Sequence, residues 1–415
     1  MIRPAKDVNV VRDLAKRYAE IAAGDIQEER RRLWRMKNSM KSCRPLVLAT
    51  YGMWNVWCRE VFGDHAMECE DPFWRDWERR LKLLLFHDEI GDDFILEPWL
   101  DVDASYFRPE GGVWGISQKH VGPGVEGGAF RWEAPIKDLR DLSAMVRPEH
   151  RVNEEDTARR AERLRDAVGE IIDVNVNRWP SLYSWNADIS TDLARLRGLE
   201  QVMIDMIDDP EGLHGLAAFM RDAVLAVHEQ AEEAGDFTLT TQRNQAMCYS
   251  EEHEDMRPNS KPRPRKDLWY FCAAQEFTLV SPAMHDEFLL QYQLPIMEKY
   301  GLTAYGCCED LTRKIDMLRK VPNLRRIGVT PVADIANCAA QIGTDYVISW
   351  RPNPTDMVCG RFDPERVRRI IGHGLRVSKG CHIDITLKDI ETVEGEPERL
   401  KKWVQIVRDV ADEID

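Results

Sequence analysis

The stretch LTAYGCCED, residues Leu302–Asp310, decides how the chain is read. It opens as a short apolar run, the signature of a buried strand. It ends in two thiols and two carboxylates, Cys307, Cys308, Glu309 and Asp310. The following LTRKIDMLRKV places Leu311, Ile315, Leu318 and Val321 at helical spacing. Reactive side chains therefore collect at the carboxyl end of a strand, just before a helix, which is where parallel α/β proteins build their sites.

The same alternation extends outward. Arg44–Thr50, Phe94–Asp101, Ile171–Val176, Tyr183–Ile189, Phe237–Thr241, Leu268–Phe277, Leu324–Val329, Tyr346–Trp350 and Leu375–Cys381 read as strands, with amphipathic helices between many of them. The expected fold is α/β: a single (β/α)8 TIM-type barrel spanning 44–415, preceded by an N-terminal helical extension over 1–43. That extension reads as a solvated arm or a homodimer contact, because Gln27–Lys41 is mostly basic with few apolar residues. Glu251–Asp267, dense in charge and proline, reads as a mobile loop. Gly122, Gly124 and Gly127 spell GxGxxG, but no apolar strand leads in and no helix leads out, so the segment is an irregular loop or hairpin and not a nucleotide cradle.

Composition narrows the function. The 415 residues carry a formal charge of -15, from 57 basic and 72 acidic side chains, which argues against nucleic acid and anionic membrane as partners. No run is long and apolar enough for a membrane span, and the N-terminus lacks a secretory pattern, so a cytoplasmic location is expected. In that setting the ten cysteines read as free thiols or metal ligands.

Two strand ends carry thiols, Cys307 and Cys308 at one and Cys381 at the other. Thiolate and carboxylate donors suit a zinc ion with an open fourth position. Cys308 and Cys381 are the first candidates, with Cys307 or Glu309 as the third ligand; the competing reading makes these cysteines small buried hydrophobes. Bound zinc would polarise a leaving oxygen or hold a thiolate, chemistry that suits methyl transfer. Glu276 and Asp310 are candidates for acid, base or positioning work, and Gln275 for the pocket, by position alone. Tyr51, Trp54, Trp57, Trp99 and Trp350 are candidates for an aromatic pocket wall, suited to a methoxylated ring or a methylated ammonium group.

At LTAYGCCED, at LRVSKGC (Leu375–Cys381) and in the closing HIDITLKDIETVEGEPERLKKWVQIVRDV, the sequence resembles the uroporphyrinogen decarboxylase superfamily, in a divergent branch near the zinc methyltransferases that serve corrinoid proteins. That resemblance implies a (β/α)8 barrel, a zinc cofactor, a small-molecule methyl donor or acceptor (methoxylated aromatic or methylated amine or thiol), and a corrinoid (cobalamin) on a separate partner protein. It aligns the cysteine of the family's His-x-Cys with Cys308 and the late cysteine with Cys381. The histidine position falls on Gly306, and the added glutamate of related enzymes falls near Thr330 or Pro331, so two ligand positions depart from the pattern. The alternatives are a metal-independent decarboxylase or other lyase on the same scaffold, and a non-catalytic binding protein.

Overall fold

The structure is a computed structural model that describes residues 5–49, 60–122, 124 and 131–414. Tyr51, Trp54 and Trp57 lie outside the described residues. The fold is α/β with parallel strands at its centre. Six strands form one parallel sheet in the order β1 (Leu46–Leu48), β10 (His382–Thr386), β9 (Val347–Trp350), β8 (Leu324–Val329), β7 (Leu302–Tyr305), β6 (Trp269–Cys272). A second parallel pair joins β2 (Trp99–Asp103) to β5 (Asp173–Asn177), and β3 (Lys119–Val121) pairs antiparallel with β4 (Arg131–Glu133) at the surface.

Side chains and short loops bridge the two parallel units. On one side, Asp93 N donates to Val47 O at 2.8 Å, and Asp92 and Asp93 carboxylates accept from Ala49 N and Val47 N. On the other, Asn175 Nδ2 on β5 donates to Thr240 Oγ1 at 3.0 Å, and Gln242 Oε1 accepts from Trp269 N on β6 at 3.3 Å. Phe237–Thr241, expected as a strand, is a turn that serves this junction. Tyr183–Ile189 is likewise no strand: it contains a single 3-10 turn, Ser184–Asn186.

The largest departure concerns Leu375–Cys381. Leu375 and Val377 belong to the helix Pro364–Val377, started by the Asp363 cap and Pro364 in the first turn. Val367, Ile371 and Leu375 form its buried stripe at a spacing of four, a period that outweighs the local β-propensity. Gly374 on this helix packs against the ring of Trp350, which lies where a Cβ would come within 2.2 Å. Trp350, buried, thus packs in the core between strand and helix. The last strand is the next segment, His382–Thr386.

The N-terminal extension forms two helices, Ala5–Ala22 and Asp25–Asn38, and is no solvated arm. Trp34 is wholly buried and shares a core with Leu46, Leu48, Ile95 and Tyr249. The basic face of the second helix meets the acidic segment expected to be mobile: Arg35 pairs with Asp255 at 2.5 Å, and Lys41 with Glu251 at 2.6 Å. The extension therefore packs into the same body as the sheet.

Inside the sheet, Arg326 Nη2 on β8 donates to Asp384 Oδ2 on β10 at 2.6 Å, and Ser349 Oγ on β9 donates to Asp384 Oδ1 at 3.1 Å. Arg326 Nη1 donates to Asn38 Oδ1 at 2.7 Å, and its guanidinium lies over the Trp34 ring. Removing one partner of a fully buried ion pair leaves the other charge uncompensated. Asp384→Ala is expected to destabilise the fold by about 3–5 kcal/mol, read as a drop in the urea midpoint at unchanged slope. A loss no larger than that of an exposed carboxylate variant would remove the pair from its structural role.

Candidate functional site

Cys307 and Cys308 follow β7 directly. The turn that presents them is fixed by Gly306, whose φ of +104° is open to glycine. A Cβ there would meet Leu311 at 2.7 Å, so a histidine could not replace Gly306 without rearrangement. Glu309, fully buried, accepts from Ala274 N at 2.8 Å with one oxygen and from Cys307 N at 2.7 Å with the other. Asp310 accepts from Thr312 N and Thr312 Oγ1. Both acids are thus occupied in holding the turn.

The two thiols are unlike each other. Cys307 is buried and Cys308 exposed, with the sulfurs 3.6 Å apart. Lys388, just past β10, donates from Nζ to Cys307 Sγ at 3.2 Å and to Cys308 Sγ at 3.6 Å. Arg351, just past β9, donates to the carbonyls of Gly306 and Cys307. Hydrogen bonding from Cys308 and, against the cost of burial, the charges of Lys388 and Arg351 hold the Cys307 thiol well below the ordinary thiol range. The same contact and burial push Cys308 up, so it keeps its proton, with Asp389 Oδ2 at 3.8 Å as a second acceptor. Burial alone would lower Lys388; the charges of Cys307, Cys308 and Asp389 more than offset this and raise it. The surroundings thus favour ionisation of Cys307 over Cys308, beside the Lys388 ammonium.

Cys381 is elsewhere. It precedes β10 at the amino end and lines a cleft of about 190 Å³ with Lys37, Cys43 and His382. In a parallel sheet the amino and carboxyl ends face opposite ways, here separated by the five residues of β10, or roughly 16 Å. Cys308 and Cys381 therefore do not come together. Among the described residues no group of three or more His, Cys, Asp or Glu side chains is placed to hold a metal ion. The Lys388 ammonium also lies against both sulfurs, where a cation bridging them would sit, and Glu309 is bound to backbone amides. The donor set does not fit the expected zinc ion.

Glu276 and Gln275 share a 3-10 turn, Gln275–Phe277, that follows β6. Glu276 Oε2 accepts from Ser190 Oγ at 2.6 Å. The buried Asp188 beside it is pushed well above the carboxylate range, first by burial and then by Glu276.

Trp99, expected near the end of a strand, is the first residue of β2. With Glu97, Asp101, Asp103, Trp77, Tyr18 and Arg243, it borders a cavity of about 560 Å³ along β2. Burial raises Glu97 to about 7, opposed by Arg31 and Tyr249, and raises Asp101 to about 6, opposed by Asn175. Arg243 borders this cavity, donates to Ser184 Oγ at 3.0 Å, and lies over the rings of Trp179 and Trp185. Trp185 packs on the cluster that contains Cys307. Arg243, Gln245, Arg351 and Lys388 were missed in the sequence. Backbone strain marks their neighbourhood. Of the seven non-glycine residues at positive φ among the described residues, Ser184 meets Arg243, Asp389 meets Cys308 and Gln245 adjoins Cys307.

No family model matches the chain, and no curated protein sequence does. Among solved structures it is similar to a methyltransferase from Methanosarcina mazei, with a TM-score of 0.53 over 91% of this chain and 97% of that one, at 13% sequence identity. At that identity the likeness shows the fold alone: this chain shares the α/β architecture of that structure.

Two measurements follow from the charges. Lys388→Met is expected to move the pH midpoint of Cys307 modification by methyl methanethiosulfonate upward by about one unit or more; an unmoved midpoint would remove Lys388 as the counter-ion. Glu97, raised in the folded chain, binds its proton more tightly there than when unfolded. Its contribution is full below the ordinary glutamate range and is lost as pH rises through about 7. Glu97→Gln is expected to flatten the fall in stability between pH 5 and 8, on the order of 2–3 kcal/mol, in urea titrations at several pH values.

Proposed function

We propose that this chain is a methyltransferase on a (β/α)8 barrel, which moves a methyl group between a small molecule and a carrier at the mouth formed by Cys307, Cys308 and Lys388. The barrel reading rests on the parallel pairing of the first strand, β1, with the last, β10, as ring closure demands. The observation that carries the functional reading is the Cys307–Lys388 pair, brought together from the carboxyl ends of β7 and β10, on an architecture shared with a methyltransferase.

A buried thiolate is a strong nucleophile toward a methyl carbon. Sγ of Cys307 attacks in line; the S–CH3 bond forms as the bond to the leaving oxygen, nitrogen or sulfur breaks, and the electron pair departs with that atom. Cys308, still protonated and 3.6 Å away, is placed to supply a proton to the leaving group. Lys388 keeps its charge throughout and holds the thiolate at neutral pH. Zinc would supply Lewis-acid activation, but the donors do not fit it, and no step is routed through it. The finer reading, in which the carrier is a corrinoid on a separate protein and the donor a methoxylated aromatic or methylated amine or thiol, rests on the resemblance of the segments around Cys308 and in the closing region. The lyase and binding-protein readings leave the Cys307–Lys388 pair without a task.

The test is conversion of cob(I)alamin to methylcobalamin, followed by absorbance, with a panel of methoxylated aromatics, methylated amines and methylated thiols. Turnover with at least one donor is expected, falling about 100-fold or more in Cys307→Ser. Turnover that survives in Cys307→Ser would displace the thiolate mechanism, and none with any donor would remove the corrinoid reading.

A further inference from the structure

Lys37 is a charge that the chain does not neutralise. It stands in the helix Asp25–Asn38, only 2% exposed, on the wall of the 190 Å³ cleft at the amino end of the sheet. An ammonium has three N–H donors. One reaches the Cys43 carbonyl over a long 3.4 Å, and the Cys43 thiol stands beside it as a weak acceptor. At least one N–H is left unspent, and no carboxylate pairs with Lys37 among the described residues. The acid whose charge reaches it, Asp384, is held by Arg326 at 2.6 Å. Burial accordingly keeps this ammonium below the ordinary lysine range.

The rest of the cleft repeats the pattern. The His382 ring and the Ser42 hydroxyl border it, and neither makes a hydrogen bond among the described residues. His382 feels the charge of Lys37, which places the ammonium on its side of the cleft. Lys379 adds a second cation, with Nζ on the Ile414 carbonyl at 2.9 Å. No described residue of the wall is acidic, although the chain as a whole carries a charge of -15. On the adjoining last helix, Glu398–Ile414, Asp409 and Glu413 accept from Arg368 instead. The volume is that of several waters, at about 30 Å³ each, or of one compact ion.

We propose that this cleft binds a phosphate group, with Lys37 as its buried counter-ion and His382 and Ser42 as neutral donors. A tetrahedral oxyanion accepts from several directions at once, which suits donors supplied by three segments: a helix, the loop after it and the first residue of β10. The group is free phosphate or the phosphoryl end of a small monoester. The site lies at the opposite end of β10 from Lys388 and does not depend on the chemistry proposed at Cys307.

The test is isothermal titration calorimetry of the full chain with inorganic phosphate, and separately with glycerol 3-phosphate, at ionic strength held constant with chloride. Saturable binding of one anion per chain is expected, and the tighter of the two names the source. Lys37→Met is expected to weaken it about tenfold or more, the scale of one charged hydrogen bond, with the thermal midpoint kept or raised because a buried charge is removed. Cyanate gives a second readout in the natural chain. Its conjugate acid adds to the neutral amine of Lys37: the N–C bond forms and the amine proton passes to the cyanate nitrogen. Phosphate is expected to slow this carbamylation several-fold at Lys37 and not at the exposed Lys16, followed by fragment-ion mass spectrometry. This comparison stands even where the variant fails to fold. No binding by either anion, equal affinity in Lys37→Met, or equal labelling of Lys37 with and without phosphate would overturn the proposal.

Discussion

The buried pair of Arg326 and Asp384 is the constraint on which the arrangement depends. It ties β8 to β10 across β9, with Ser349 bonded to both, and the other terminal guanidinium nitrogen, Nη1, reaches Asn38 in the N-terminal extension. Such a pair contributes less to net stability than to uniqueness: an alternative register would bury an uncompensated charge. Once β8, β9 and β10 are in register, the residues just past their carboxyl ends are set as well. Arg351 and Lys388 arrive at Cys307 because the strands beneath them are locked.

The sequence announces the central strands well. LRRIGV and YVISW are short apolar runs between clear breaks, and β8 and β9 fall within them. The thiols and acids at the end of β7 are legible for the same reason. What stays hidden follows a physical pattern. LRVSKGC has β-branched and apolar residues that suit a strand, yet the stripe of Val367, Ile371 and Leu375 fixes it as the end of a helix and moves Cys381 to the far end of the sheet. Lys388 is one of many lysines, and it meets Cys307 across 81 residues of chain. Gln245 shows no turn signal, since glutamine has no local preference for a left-handed backbone. The charges inside LRRIGV and HIDIT are a signal that could have been used: a charge in the middle of an apolar strand needs a buried partner, and here each is the other's.

The site also shows how two adjacent cysteines divide labour. One is buried beside an ammonium and ionises; its neighbour, exposed, keeps its proton. Neither state comes from the residue type: the hydrogen bond between the two sulfurs comes first, with Arg351 favouring the charge on Cys307 and Asp389 opposing it on Cys308. A fixed ammonium differs from a metal ion in a useful respect: it stabilises the thiolate by charge while leaving the sulfur lone pairs free to react.

Trp34, Leu33 and Tyr249 fill the amino end beneath the sheet together with Leu46 and Leu48. At the opposite, carboxyl end, the exposed Cys308 marks the side on which the Cys307 site meets solvent. In the proposed transfer through Cys307, a donor and an acceptor would both reach the sulfur from that side, so a double displacement, with the methyl group held on the sulfur between visits, is the order that suits it.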